Sequence, residues 1–188
     1  MKIFKGFTLI ELMIAISILA IILVVGVPNF QITIQNNRVT TNANGLVSAI
    51  MIARSEAIKR GVDVQVRSIS GNSNWSTGWS VVTDSDNNNV FSVTPDCIGN
   101  NDCEVHRRAG LDSGVTLNSV VNNVTLFQFD PRGRLRTAVS NPDTLVMCDN
   151  RGFVPQARAI VVTNTGRSRV VSATDPQADV NGNVNACT

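Results

Sequence analysis

The pattern of hydrophobic and polar residues begins with an almost continuous apolar run. Residues 7–28 read FTLIELMIAISILAIILVVGVP. About 20 apolar residues are enough to cross a bilayer as a helix. Gly26 and Pro28 weaken a helix, so a kink or local melting is expected near them. This segment therefore predicts a transmembrane helix over residues 7–28.

An amphipathic helix is predicted next, over residues 29–60. Its apolar residues recur at spacings of four and three, which places them on one helical face: Val39, Ala43, Leu46, Ile50, Ala53 and Ala57. Lys59 and Arg60 suit a helix C-terminus, and Gly61 suits the stop just beyond it. We expect this face to pack under a globular head.

The period changes to two after Gly61, which is typical of β-strands. Residues 62–69 alternate as VDVQVRSI, and turn-rich pieces separate further candidates: GWSVVT, NVFSV, VTLFQFD, TLVMC, ARAIVVT and RSRVVSA. The fold class is therefore predicted to be α+β. A long N-terminal helix packs against an antiparallel β-sheet or small β-sandwich, which forms a head over residues 61–188.

Glu11 is the only ionisable side chain between Phe7 and Pro28, and a carboxylate in such a run marks a functional site by default. A secretory signal peptide does not fit, because the run is too long and no A-x-A-like site follows it. A plain anchor leaves Glu11 unexplained. Cleavage between Gly6 and Phe7 would create an ammonium four residues before Glu11, on the same helical face. This ammonium, from the same chain or a packed neighbour, would be the partner that a buried carboxylate needs.

The N-terminal motif GFTLIEL, with an apolar run ending in VPNF, resembles type IV prepilins and type II secretion pseudopilins. The resemblance implies that residues 1–6 are a leader, which a prepilin peptidase removes between Gly6 and Phe7. The peptidase then methylates Phe7 to N-methyl-Phe7. The resemblance also makes residues 7–28 a filament-core helix after assembly and assigns to Glu11 the guidance of subunit docking. Lys2 and Lys5 precede the run, so the positive-inside rule leaves Met1 in the cytoplasm and the rest outside.

Four further segments resemble the GspH/FimT/FimU subgroup of minor pilins and minor pseudopilins: ARSEAIKRG, WSTGWSVVTD, CDNRG and GRSR. The resemblance implies the pilin fold and a minor pilin at or near the tip of a type IV pilus, where it supports assembly. Its partners would be the prepilin peptidase and other major and minor pilins. The chain would be held in the inner membrane, with its head in the periplasm, before it reaches the cell-surface pilus. An H-type minor pseudopilin of a type II secretion system is the alternative.

The cysteines point to disulfides and not to a metal. The four cysteines all follow the apolar run, none forms a C-x-x-C pair, and His106 is the only histidine. No metal or cofactor is expected from such spacing, and an even count outside the cytosol indicates two disulfides. The short CIGNNDC loop fits Cys97–Cys103, which leaves Cys148–Cys187, although four cysteines allow three connectivities. The sequence has no GxxxxGK, GxSxG or HExxH motif, so we do not expect an enzyme.

The charges separate along the head. Residues 61–106 hold one arginine and six acidic residues, a net charge of −5, and residues 107–174 hold nine arginines and four aspartates, a net charge of +5. A strand would aim alternate arginines to one face, and such a face could bind DNA phosphates. The candidate residues are Arg132, Arg134, Arg136, Arg167 and Arg169. Residues 166–169 match a GRxR motif of FimT-type proteins implicated in DNA uptake, so a DNA-binding minor pilin for natural transformation is a further alternative. The competing interpretation pairs these arginines with the acidic half, within the subunit or across an interface.

Overall fold

The structure is a computed structural model that describes residues 6–92, 101–120, 123–136, 143–152, 156–175 and 187. The described residues form one helix, α1 (Leu9–Arg60), followed by eight strands. The strands are β1 (Val64–Ser68), β2 (Gly78–Thr83), β3 (Glu104–Ala109), β4 (Val115–Ser119), β5 (Leu126–Phe129), β6 (Asp143–Asp149), β7 (Arg158–Val162) and β8 (Ser168–Ser172). The chain divides into two compact units, residues 1–37 and 38–188.

The first unit contains the apolar part of α1, whose large side chains are exposed. Helix α1 is long and apolar enough to cross a membrane, with a mean hydropathy of 2.9 over its most apolar window. It continues through Gly26 and Pro28, so the local melting predicted there is absent. Pro28 removes one N–H donor from the helical ladder, and next to it Asn29 Nδ2 donates to the Val25 carbonyl at 3.1 Å, one turn back.

The second unit begins with the amphipathic part of α1. All six residues of the predicted apolar face are buried, which confirms that prediction. Asn42 is buried beside them, because its side chain has polar partners inside the head. Its Nδ2 donates to Asp112 Oδ2 at 3.1 Å, and its Oδ1 accepts a bond from Arg108. The Arg108 guanidinium also lies 5.3 Å from the ring centroid of Trp79.

Two four-stranded antiparallel sheets complete the head, in the orders β3-β2-β1-β5 and β4-β6-β7-β8. The strands predicted from alternation at β1, β2 and β5 to β8 are present, and β3 and β4 were not predicted. The candidate NVFSV is wrong over its described residues 89–92, which form no strand. Asn87 and Asn89 have φ values of 57° and 59°, so the backbone turns where a strand would have to be extended.

The core joins α1 to residues from both sheets in one cluster. Its largest fully buried side chains are Trp75, Trp79, Phe127 and Phe129. Trp75 and Phe127 pack with ring centroids 5.5 Å apart, and Trp75 Nε1 donates to the Val124 carbonyl at 2.8 Å. The fold is therefore α+β, with a helix packed on antiparallel sheets as predicted.

Candidate functional site

The beginning of α1 is held by a reciprocal pair of hydrogen bonds between Thr8 and Glu11. Glu11 Oε2 accepts from the Thr8 backbone N at 3.2 Å and from Thr8 Oγ1 at 3.1 Å. The Glu11 backbone N donates to Thr8 Oγ1 at 3.3 Å. This is a capping box, in which Thr8 is the N-cap and Glu11 is the third helical residue. The cap leaves Gly6 and Phe7 outside the helix, and Phe7 is exposed.

Glu11 therefore has a partner within its own chain that the sequence interpretation missed. The signal was available, because T-x-x-E before an apolar run is the sequence signature of a capping box. Both bonds from Thr8 end on Oε2. Among the described residues Oε1 accepts no hydrogen bond, so one carboxylate oxygen stays open to a further cationic donor.

The first three predicted arginines lie in the DPRG turn, residues 130–136, and not on a regular strand. Asp130 organises this turn, since its Oδ1 accepts from the backbone N of Arg132 and of Arg134, both at 2.9 Å. Burial alone would raise the pKa of Asp130, but these bonds and the Arg134 charge outweigh burial, and the net pKa is lowered. Gly133 has a φ of 73° inside the turn, which breaks the strand-like alternation that the sequence suggested.

A second turn, the NTGR turn (residues 163–167), packs directly on the DPRG turn. It connects β7 to β8, and a hydrogen bond from Thr163 N to Arg167 O at 2.9 Å encloses a three-residue loop, residues 164–166, with Gly166 at a φ of 75°. Leu135 N donates to the Asn164 carbonyl at 3.2 Å. A Cβ on Gly166 would lie 2.6 Å from the Gly133 carbonyl oxygen, so the glycine of GRSR allows the two backbones to touch.

Helix α1 also holds the DPRG turn. Arg54 Nε donates to the Gly133 carbonyl at 2.9 Å. Two of the segments noted in the sequence therefore meet at the DPRG turn: the ARSEA stretch of α1, and the GRSR stretch, which begins within the NTGR turn. An open cavity of about 690 Å³ lies beside it, lined by Asp130, Pro131, Arg132, Arg134, Leu135, Arg136 and Asn164.

The five candidate arginines differ in their partners. Arg136 pairs with Asp63, and Arg134 Nε lies 3.4 Å from Asp130 Oδ2. Arg132 and Arg167 are exposed, and their side chains form no ion pair within the described part of the chain. Arg169 is exposed on β8. The Arg136–Asp63 pair supports the interpretation that arginines bind the acidic half within the subunit, whereas Arg132 and Arg167 leave positive charge facing solvent.

The disulfides were predicted as two pairs. Cys148 on β6 is bonded to Cys187, with their Cα atoms 6.0 Å apart. Cys103 is also disulfide-bonded, and Cys97, its predicted partner, lies outside the described residues. Cys148 is buried in a small apolar cluster that includes Val146 and Ala159.

An acidic cluster was not predicted as a site. Carboxylate oxygens of Asp84, Asp86 and Asp102 lie within 4.8 Å of one another. Burial raises the pKa of Asp84. The two buried carboxylates accept loop amides, with Ser85 N donating to Asp102 Oδ1 at 2.7 Å and Asn89 N donating to Asp84 Oδ2 at 3.1 Å. These bonds hold the DSDNNN loop, and the expectation of no metal stays a prediction.

Comparison with known families and structures gives two sequence matches and one fold. Residues 42–166 match the family described as Type II transport protein GspH, and residues 1–27 match the prokaryotic N-terminal methylation motif. The type IV minor pilin FimU of Pseudomonas aeruginosa (strain PAO1) is structurally similar in two crystal forms. In space group P21 the TM-score is 0.56 at 17% identity, covering 74% of this chain and 92% of FimU. In space group P65 the TM-score is 0.54 at 17% identity, covering 72% of this chain and 94% of FimU.

The minor pseudopilin EpsH from the type 2 secretion system of Vibrio cholerae gives a TM-score of 0.49 at 12% identity, covering 73% of this chain and 99% of EpsH. A comparison with curated proteins found no match. At these identities, the likeness to FimU shows a shared fold.

Proposed function

This chain belongs to the GspH family, and from that premise we propose that it is a minor pilin of a type IV pilus, incorporated at or near the tip to support assembly. The observation that carries the proposal is the joining of an N-terminal methylation motif to a GspH head. The FimU-like fold agrees with it. The protein would act as a structural and interaction subunit, with no catalytic step of its own.

Processing is the first step of the proposal. A prepilin peptidase cleaves between Gly6 and Phe7 and methylates Phe7. The position of the cap supports this, because residues 6–8 precede the helix and Phe7 is exposed. Before assembly, residues 7–28 would hold the chain in the inner membrane, with the head in the periplasm. After assembly the same residues would form the filament core against other major and minor pilins.

Glu11 then acts in docking. Its Oε2 is engaged by Thr8, and its Oε1 would accept the methylated ammonium of Phe7 from a neighbouring subunit. Capping and docking therefore use different oxygens of one carboxylate. In the apolar core of a fibre this ion pair would be desolvated, so removing one partner would leave an uncompensated buried charge, which costs about 3–5 kcal/mol.

The test replaces Glu11 in cells that make pili and measures the protein in sheared fibres. Glu11→Gln keeps an acceptor suited to the capping box but removes the charge, so a roughly 100-fold or larger loss from fibres is expected. Leu12→Val is the matched control in the same stretch and should enter fibres normally. Both variants should insert in the membrane. Glu11→Gln at wild-type levels in fibres would show that the charge does not guide docking.

The type II secretion alternative has a distinct outcome in the same experiment. If the wild-type chain is processed, is absent from sheared pili and co-purifies with secretion pseudopilins, it is an H-type minor pseudopilin. The matched family is described as a type II transport protein, so the experiment tests this outcome too. A strain with its pilus genes deleted and its secretion genes intact separates the two systems.

DNA binding is a second candidate function, favoured by the two exposed arginines without ion-pair partners in the described chain, Arg132 and Arg167. They lie in the DPRG and NTGR turns, which touch each other. Arg134, Arg136 and Arg169 would assist from the same turns and from β8. Phosphate contacts predict weak binding that is independent of sequence and falls steeply with salt.

The DNA test titrates salt with the full chain in detergent and labelled duplexes of unrelated sequence. Arg132→Gln with Arg167→Gln should weaken binding to all duplexes and reduce the salt slope by roughly 2. Arg107→Gln is the control, because Arg107 is exposed on β3 and already lies 3.3 Å from Glu104. An unchanged salt slope in the double variant would show that Arg132 and Arg167 do not contact DNA phosphates, and would favour protein partners for them.

A further inference from the structure

The two sheets of the head have four edge strands, and three of these edges are covered or guarded. Segment 73–76 pairs with β4, through Trp75 N to Leu117 O at 2.8 Å and Ser119 N to Ser73 O at 3.0 Å. The DPRG turn covers β5, through Arg136 N to Gln128 O at 2.7 Å. Strand β3 carries the ionisable residues Glu104, His106, Arg107 and Arg108, and charges of this kind discourage edge pairing.

Strand β8 is the fourth edge, and the hydrogen bonds at its two ends fix its orientation. Thr163 N donates to Arg167 O at 2.9 Å, and Ala173 N donates to Ala157 O at 3.1 Å. Bonding alternates along an antiparallel pair, so residues 167, 169, 171 and 173 direct their backbone groups to β7. The N–H and C=O groups of Ser168, Val170 and Ser172 therefore point away from β7.

These outward groups lack partners within the described part of the chain, with one exception, the Ser172 carbonyl, which accepts from Asp175 N at 3.0 Å. A groove of about 630 Å³ runs beside them, lined by Thr40, Asn44, Arg158, Val170, Val171 and Ser172. It lies wholly within the unit 38–188. The edge thus has both unused hydrogen-bonding groups and room for another backbone.

Basic residues outnumber acidic ones around this edge, since residues 156–175 contain Arg158, Arg167 and Arg169 against Asp175. Arg158 lines the groove, and its Nη1 donates to the carbonyls of Gln156 and Ala157, both at 3.3 Å. Arg167 is exposed just before β8. Neither guanidinium forms an ion pair with a carboxylate among the described residues, so an incoming segment with carboxylate side chains would neutralise both.

We propose that β8 accepts an extended, acidic segment of a different pilin subunit as an added strand. Backbone bonds to Ser168, Val170 and Ser172 would supply affinity, and carboxylates near Arg158 and Arg167 would supply selectivity. The inference rests on the proposed function, because it takes the segment from a neighbouring subunit of the fibre.

A second copy of this chain fits the edge poorly. Two β8 strands paired edge to edge would gather Arg167 and Arg169 of both copies along one seam, and a pair centred on residue 168 would set Arg167 directly opposite Arg169. Like charges across a strand pair are destabilising. The charge pattern therefore favours a different chain as the partner.

The test blocks the outer edge of β8 and keeps its hydrogen bonds to β7. Val170→Pro removes an outward N–H and no bond to β7, and proline is tolerated at sheet edges. Val170→Thr is the matched control, which keeps both the N–H and the β-branched shape. Losing the edge bonds should lower the Val170→Pro protein in sheared fibres at least about tenfold, while Val170→Thr stays near wild type. Leader cleavage and the melting temperature are measured for each variant.

Equal amounts of the proline variant and wild type in fibres overturn this proposal alone. Absence of wild type from fibres overturns the proposed function together with it. If the proline variant fails to fold, hydrogen exchange of the wild-type Val170 amide decides. That amide should exchange rapidly in the purified protein and at least about 100-fold more slowly in fibres. Slow exchange in both states, from pairing within the chain, or rapid exchange in both, contradicts the proposal, as does a Ser172 photo-crosslink to a second copy.

Discussion

Replacing Gly166 by alanine tests whether the GRSR glycine is needed for the contact between the two turns. At a φ of 75°, alanine is strained by about 1–2 kcal/mol. Its Cβ would also lie 2.6 Å from the Gly133 carbonyl oxygen and 3.0 Å from Phe129 Cε1. A backbone oxygen held in a turn cannot move cheaply, so overpacking adds about 1–3 kcal/mol. The expected loss of unfolding free energy is roughly 2–5 kcal/mol.

Gly71 provides a matched control for this substitution. Its φ is 70°, and a Cβ there would meet no atom within 4 Å. Gly71→Ala therefore carries the conformational cost alone, about 1–2 kcal/mol. The difference between the two variants isolates the contact between the DPRG and NTGR turns.

The assay is urea unfolding of the full chain in mild detergent, followed by tryptophan fluorescence. Trp75 and Trp79 are both fully buried, so their emission reports on the core of the head. An equal loss of stability in the Gly166 and Gly71 variants would refute the contact. A loss of DNA binding by Gly166→Ala at unchanged stability would instead show that the glycine acts in ligand binding.

Three further predictions use the same preparation. Cys187→Ser opens a loop with a sequence separation of 39 residues and should cost about 4 kcal/mol in the chain-entropy model; unchanged stability would show that the bond to Cys148 contributes nothing. Burial alone would raise the pKa of Asp149, but hydrogen bonds from Arg151 outweigh burial and the net pKa is lowered from 3.8. The stability from this pair is therefore present above pH 3.8 and lost as the pH falls through the folded pKa. Asp149→Asn should therefore reduce the loss of unfolding free energy at acid pH, and an unaltered pH dependence would contradict this. Thr8→Ala removes the helix cap at a cost of about 1 kcal/mol and should speed hydrogen exchange of the Glu11 amide, whereas unaltered exchange would mean that the cap does not form.

The sequence predicted the elements in which burial repeats along neighbouring residues. The apolar face of α1 and strands such as β1 and β7 were found because burial repeats at the helical or strand period. The sequence interpretation missed the burial of Asn42. Its hydrogen-bond partners, Arg108 and Asp112, lie far along the chain and come close only in the fold. The Arg136–Asp63 pair has the same cause, since 73 residues separate its members.

For the candidate site, the sequence predicted which residues matter but not the contacts that they make. Glu11 was found from its isolation in an apolar run, although its cap to Thr8 was overlooked. The arginines were found from composition, and Arg169 lies on a strand, β8. The other four lie in two packed turns, which depend on the positive φ values of Gly133 and Gly166. Segment 89–92 failed as a strand for the same reason, because Asn87 and Asn89 turn the backbone.

The central claim is that this chain is processed and built into a pilus, and intact-mass analysis of the protein from sheared fibres tests it most directly. We predict a chain that begins at Phe7, lacks residues 1–6 and carries one added methyl group at its N-terminus. A deletion strain lacking the prepilin peptidase is the control and should hold only full-length precursor in the membrane. A wild-type chain that still begins at Met1, or that is missing from fibres, would contradict the account.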